Sequence, residues 1–134
     1  MASANEERAR AGIAAFNEDG AEGILEYIHP DFEATTPPEL ASEPDTYRGH
    51  DGVRRYYDSF DEVMDEIRWE VHGTQAVGEQ VVVDLTLHAR GKSTGLDFGM
   101  RTAAVWSFRD GKVIGIEIYP TLDEALAATR PGGE

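Results

Sequence analysis

Residues 104–120, AVWSFRDGKVIGIEIYP, decide how this chain folds. Trp106 and Phe108 alternate with smaller or polar residues, Asp110-Gly111 forms a two-residue turn, and alternation resumes through Ile114, Ile116 and Ile118. Period-two alternation around Asp-Gly marks a β-hairpin, because both turn residues need positive φ. One face of this hairpin is strongly apolar and needs a cover.

The same alternation runs upstream through IRWEVHGTQAVG (67–78), EQVVVDLTLHARG (79–91) and LDFGMRTAAVWSFRD (96–110), with a shorter strand, DFEATTPP (31–38), ended by its prolines. Helical spacing dominates the N-terminal half. Ser3-x-x-Glu6 is a capping box, followed by Ala9, Ile13 and Phe16. Ile24, Leu25 and Ile28 make a second short helix, stopped at His29-Pro30. Val53, Tyr56, Tyr57, Phe60, Met64 and Ile67 form the strongest helical stripe. Thr121-x-x-Glu124 opens a last helix with Leu122, Ala125 and Leu126 inward.

Strands joined by short turns are antiparallel, and helices segregated onto one face of such a sheet make an α+β fold. The expected architecture is a strongly curved antiparallel sheet around three N-terminal helices, with a short C-terminal helix. All 134 residues form one domain, and the tail 130–134 is expected to be flexible.

Charge and composition exclude several functions. The net charge is −14, from 26 acidic and 12 basic residues, which repels nucleic acid and anionic lipid. There is no cysteine, so thiol chemistry is absent and a cytoplasmic location is expected. The N-terminus has no long apolar run, so neither a signal peptide nor a membrane span is expected. Four scattered histidines lack metal-ligand spacing, and no phosphate loop is present; no metal or cofactor is expected.

Strand alternation places Val81, Val83, Leu85 and Leu87 inward, with Asp84, Thr86, His88 and Arg90 outward. The inward face of residues 98–108 mixes bulky Phe98, Trp106 and Phe108 with small Thr102 and Ala104, a combination suited to an apolar pocket. Its expected lining is Phe16, Phe32, Tyr56, Phe60, Met64, Leu85, Met100, Thr102, Ala104, Trp106, Ile116 and Ile118. Tyr57 and Thr36 are the best candidates for polar or catalytic groups inside it. Tyr47 and Arg48 are expected near its mouth, while His29 and His50 read as helix-end residues. His72, His88, Asp84 and Asp97 face outward, and Arg101 is expected to pair with an acid on that outer face.

Three segments in order, 15–38, 47–60 and 105–128, resemble the SnoaL-like branch of the nuclear-transport-factor-two-like superfamily. W-x-F-R-D-G-K-V followed by D-E-A-L is the most specific part. The resemblance implies a cone-shaped, barrel-like fold with a pocket at its open end, polyketide-cyclase-like relatives, and homodimers through the outer sheet face. Ketosteroid isomerases share this fold, but their aspartate base falls at Thr36, and their oxyanion tyrosine and aspartate fall near Gly12 and at Ala104. Those side chains cannot do that chemistry, so steroid isomerisation by the usual mechanism is excluded.

Two functions stand side by side. One is a small hydrophobic ligand held in the pocket or transformed there by isomerase-, cyclase- or hydrolase-type general acid/base chemistry. The other is a non-catalytic homodimeric binding or assembly module. The sequence does not choose between them, nor does it name the ligand.

Overall fold

A computed structural model of the chain describes residues 4–35, 46–62 and 64–129. Ser3, Thr36 and the tail 130–134 lie outside the described residues, as does the side chain of Phe60. The fold is α+β. Helix α1 (Ala4–Asp19) and helix α2 (Ala21–Ile24), the latter continuing into a 3-10 turn (Leu25–Tyr27), precede strands β1 (Ile28–Thr35) and β2 (Thr46–Arg48). Helix α3 (Gly49–Asp61) follows, then β3 (Met64–Val77), β4 (Gln80–Gly91), β5 (Asp97–Arg109), β6 (Lys112–Tyr119) and helix α4 (Leu122–Ala128).

The strands form one open sheet in the order β2-β1-β6-β5-β4-β3, not a closed barrel. The pairs β3–β4, β4–β5 and β5–β6 are antiparallel, as their hairpins require. The expectation of a wholly antiparallel sheet is corrected: β1 runs parallel to β6, so the sheet is mixed. Turn chemistry fixes only neighbours in sequence, whereas β1 and β6 meet across most of the chain. Their ladder shifts register between Ile28 and Glu33, a span containing Pro30, which has no N–H for a ladder. Strand β2, three residues long, was not visible in the sequence pattern.

Ala9, Ile13 and Phe16 of α1 are buried, as their spacing requires. On α3, Val53, Tyr56 and Tyr57 are buried as well. That helix stops at Asp61, however, and Met64 and Ile67 belong to β3. Met64 and Asp65 pair with Gly91 and Arg90, so the ladder overrides the helical period. Glu66, at φ 53, makes the irregularity through which the strand enters. Ile28 likewise leaves the second helix and starts β1, where it is buried.

Asp110 and Gly111 adopt φ 53 and 80, the turn expected of the opening hairpin. The register then slips between Ser107 and Phe108: Val113 faces Phe108 and Gly115 faces Ser107. Val113, rather than Ile114, is therefore buried beside Ile116.

Two cores result. The larger packs Val81, Val83, Leu85, Leu87, Trp106 and Phe108 against α1, α2 and α3. The smaller holds Val82, Ala103 and Val105 under Ala125 of α4, across the sheet. Thr121 caps α4, its hydroxyl accepting from Glu124 N at 3.2 Å. Leu122, expected inward, is exposed, whereas Ala125 and Leu126 pack on this core as expected. Among the described residues no helix is long and apolar enough to cross a membrane.

Candidate functional site

Between the helices and the sheet lies a narrow apolar crevice. Helices supply Ile13, Phe16, Ile24 and Tyr57; strands supply Trp69, Leu85, Ala104, Trp106, Ile116 and Ile118. It admits the centre of a water-sized sphere over only about 20 Å³, which is room for one water. A larger, open vestibule of about 430 Å³ adjoins it, lined by the ends of α1 and α3, the start of α2, and Ile67. Phe16 and Tyr57 line both spaces. Their ring centroids are 4.5 Å apart and tilted by 40°, so this pair is the partition between them.

The structure sorts the sequence-named residues. Phe16, Tyr57, Leu85, Ala104, Trp106, Ile116 and Ile118 meet at the crevice. Phe32 and Tyr56 are buried deeper in the core without lining it, and Met64 packs on the core's edge. Thr102 is buried, but its hydroxyl donates to Tyr119 O at 2.7 Å and is spent on the backbone. Met100 does not line the crevice. Exposure falls from 68% at Leu96, just before β5, through 40% at Phe98 and 38% at Met100 to 5% at Thr102, so the strand begins beyond the helical cover. Thr36 lies outside the described residues.

Tyr47 and Arg48, expected at the mouth, are placed elsewhere. Tyr47 is buried edge-on against Tyr56, with ring centroids 5.5 Å apart, and Arg48 pairs with Glu33 at 2.8 Å. The histidines are engaged in other contacts. Asp31 N donates to His29 Nδ1 at 2.9 Å, and His50 Nε2 lies 3.0 Å from Ile28 O. On the outer face His72 Nε2 meets Thr86 Oγ1 at 2.7 Å, His88 Nε2 meets Glu70 Oε1 at 2.8 Å, and Arg101 grips Asp84 through two bonds.

Burial pushes the Tyr57 phenol well above its ordinary range, and that of Tyr56 likewise. At neutral pH Tyr57 is therefore a hydrogen-bond donor and not a base. Among the described residues lining the crevice there is no carboxylate and no histidine. What the crevice supplies is desolvation, aromatic surface and one phenol. At Gly12, near which the isomerase tyrosine is expected to fall, an added side chain would press on the Trp106 ring, 3.2 Å away.

Sequence reasoning missed Ile13, Ile24 and Trp69 as lining, and missed the vestibule altogether. Among the described residues its wall carries Asp19, Glu22, Asp58 and Asp61 with a single cation, Arg54. Arg54 is held by Glu22 at 2.7 Å and Asp51 at 2.8 Å. Acidic residues in the last turns of two helices were the available signal. Among the described residues, no three His, Asp or Glu side chains come together as a metal site.

The comparisons agree with this architecture. No curated protein matches the chain. A protein of unknown function, described as NTF2-like, from Burkholderia pseudomallei K96243 superposes with TM-score 0.78 at 23% identity, covering 96% of this chain and 98% of that one. TerC, co-crystallised with polyporic acid, gives TM-score 0.78 at 26% identity over 95% of this chain and 98% of its own. A candidate SnoaL-like polyketide cyclase from Jannaschia sp. CCS1 gives 0.72 at 15% identity, covering 94% and 91%. The SnoaL-like domain profile matches residues 9–116, from the first turns of α1 to the middle of β6, and the chain belongs to that family.

Proposed function

We propose that this protein receives a small, largely apolar organic molecule at the Phe16–Tyr57 partition. The molecule's body rests in the vestibule and its apolar end enters the crevice as the two rings part. The observation that carries this reading is the shared partition, which joins an open cavity of ligand size to an apolar interior. Co-crystallisation of TerC with polyporic acid supports it, since that protein shares this architecture. Tyr57 donates a hydrogen bond to the guest, and Thr36 is the second polar candidate from the sequence. If a reaction follows, it is acid-assisted and helped by exclusion of water.

The test is ligand-dependent melting. Polyporic acid, steroids, aromatic polyketides and alkyl amines are added at increasing concentration while the melting temperature and tryptophan emission are followed. A guest held only by the native state raises the transition, by about 2.7 kcal/mol at a hundred times its Kd. If no compound moves either signal, the reading is overturned. Homodimerisation through the outer face, which carries Asp84, Thr86, His88 and Tyr119, is a separate part of the proposal. A sedimentation profile of a 14.7 kDa monomer at high concentration removes that part alone.

A further inference from the structure

We infer that the vestibule selects organic cations: an amine or quaternary ammonium head carried on an apolar body. This inference deepens the proposed function and rests on it. The argument begins with the cavity wall. Among the described residues lining it, four carboxylates, Asp19, Glu22, Asp58 and Asp61, stand with one guanidinium, Arg54. Arg54 is already neutralised by Glu22 and Asp51. Asp19, Asp58 and Asp61 have no ion-pair partner among the described residues.

The backbone adds to this charge. Helix α1 ends at Asp19 and α3 at Asp61, so residues from two C-termini, the negative ends of the helix dipoles, line the same cavity. Neither helix has a basic residue in its last turn, and both have acids there. That is the reverse of what stabilises a helix end. Local rules are broken in this way where something other than stability is served.

The partition is the independent feature. Phe16 and Tyr57 give the acidic cavity an aromatic boundary, and a cation over such rings within about 6 Å is attracted by their quadrupoles. The carboxylates are spread around the wall rather than converging, and the described residues contain no chelating group of three. A compact metal ion finds no cage, whereas a large, diffuse cation with an apolar tail meets charge, rings and the crevice together. The overall charge of −14 steers the same class of molecule inward.

The experiment uses three probes of equal length: hexyltrimethylammonium, 1-hexanol and hexyl sulfate. Trp69 and Trp106, the chain's two tryptophans, both line the crevice, so intrinsic emission reports entry of the tail. At low salt the ammonium is expected to bind about tenfold more tightly than hexanol, with hexyl sulfate weakest and the preference shrinking as salt rises. The combined variant D19N/D58N/D61N should lose that preference, leave hexanol unchanged and melt no lower than the wild type. If hexanol or the sulfate binds as tightly as the ammonium, or if the variant keeps the preference, the inference falls while the pocket stands. If no probe alters tryptophan emission, the pocket reading falls and takes this inference with it.

Discussion

The side-chain amide of Asn17 holds both backbone polar groups of Trp69: Nδ2 donates to Trp69 O at 2.8 Å, and Trp69 N donates to Oδ1 at 2.9 Å. Trp69 lies on β3, an edge of the sheet, where these groups have no neighbouring strand. Asn17 takes the place of that strand and closes the edge against pairing with another chain. It also fixes the indole at the crevice from the last turn of the helix that carries Phe16. Glu6 makes a second tie between the same elements, accepting from Thr74 Oγ1 at 2.6 Å.

Replacing Asn17 with Ala should therefore cost about 1–3 kcal/mol, since two partly buried backbone groups lose their partner. Asn17→Asp keeps the acceptor for Trp69 N but sets a carboxylate against Trp69 O. Its deficit should be similar at neutral pH and narrow on acidification, as the protonated carboxyl regains a donor. Urea midpoints at two pH values measure this. A deficit that does not change with pH would contradict the assigned bond.

Gly23 is required by the close approach of α2 to α1. A methyl there would strike the Ala15 carbonyl oxygen and stand 2.9 Å from Asp19 Cβ. Gly23→Ala should destabilise by roughly 1–3 kcal/mol, as overpacking does. Gly73 has nothing within 4 Å of the added carbon, so Gly73→Ala should stay within about 0.5 kcal/mol of wild type. Equal denaturation midpoints for the two variants would show that α1 and α2 are not tightly packed.

Much of this fold was legible because local chemistry and tertiary contacts agree. Asp110-Gly111 demanded a tight hairpin, and Thr121 with Glu124 demanded a helix start; both are present. Arg101 was expected to find an acid on the outer face and found Asp84. What stayed hidden depended on distance or on register. No turn announces that β1 lies beside β6, and the slip that buries Val113 instead of Ile114 is set by the partner strand. Met100 carries the right alternation on β5 but lies past the end of the helical cover. The tie from Asn17 to Trp69 spans 52 residues and leaves no local signature in either segment.

The Asp84–Arg101 pair predicts the acid side of the stability curve. Nε and Nη2 of Arg101 donate to the two carboxylate oxygens at 2.8 and 2.7 Å. Chiefly through these bonds, Asp84 is held below the ordinary carboxylate range. A depressed native value means stability that is fully present above the unfolded value of about 3.9 and lost as pH falls through the native one. Arg101→Met should be less stable than wild type at neutral pH, and the gap should close as both are acidified below about pH 4. The arginine is mostly exposed, so the gap should also shrink with salt. A gap indifferent to both pH and salt would mean that the methionine acts through packing.

The alkaline side tests the dryness of the crevice. Burial raises the phenols of Tyr56 and Tyr57, so both stay protonated in the native protein when free tyrosine, at about pH 10, begins to ionise. Their contribution to stability is fully present below about pH 10 and is lost as pH rises toward the native values, because only the unfolded chain can release those protons. Tyrosinate absorbance should therefore rise in two steps, the later one coinciding with loss of the helical circular dichroism signal. Tyr57→Phe should remove amplitude from the later step only. If that substitution instead removes amplitude near pH 10 while the helices persist, water reaches the phenol in the folded state. Tyr57 would then be unable to serve as a buried donor to an apolar guest, since a solvated phenol gains little by exchanging water for ligand.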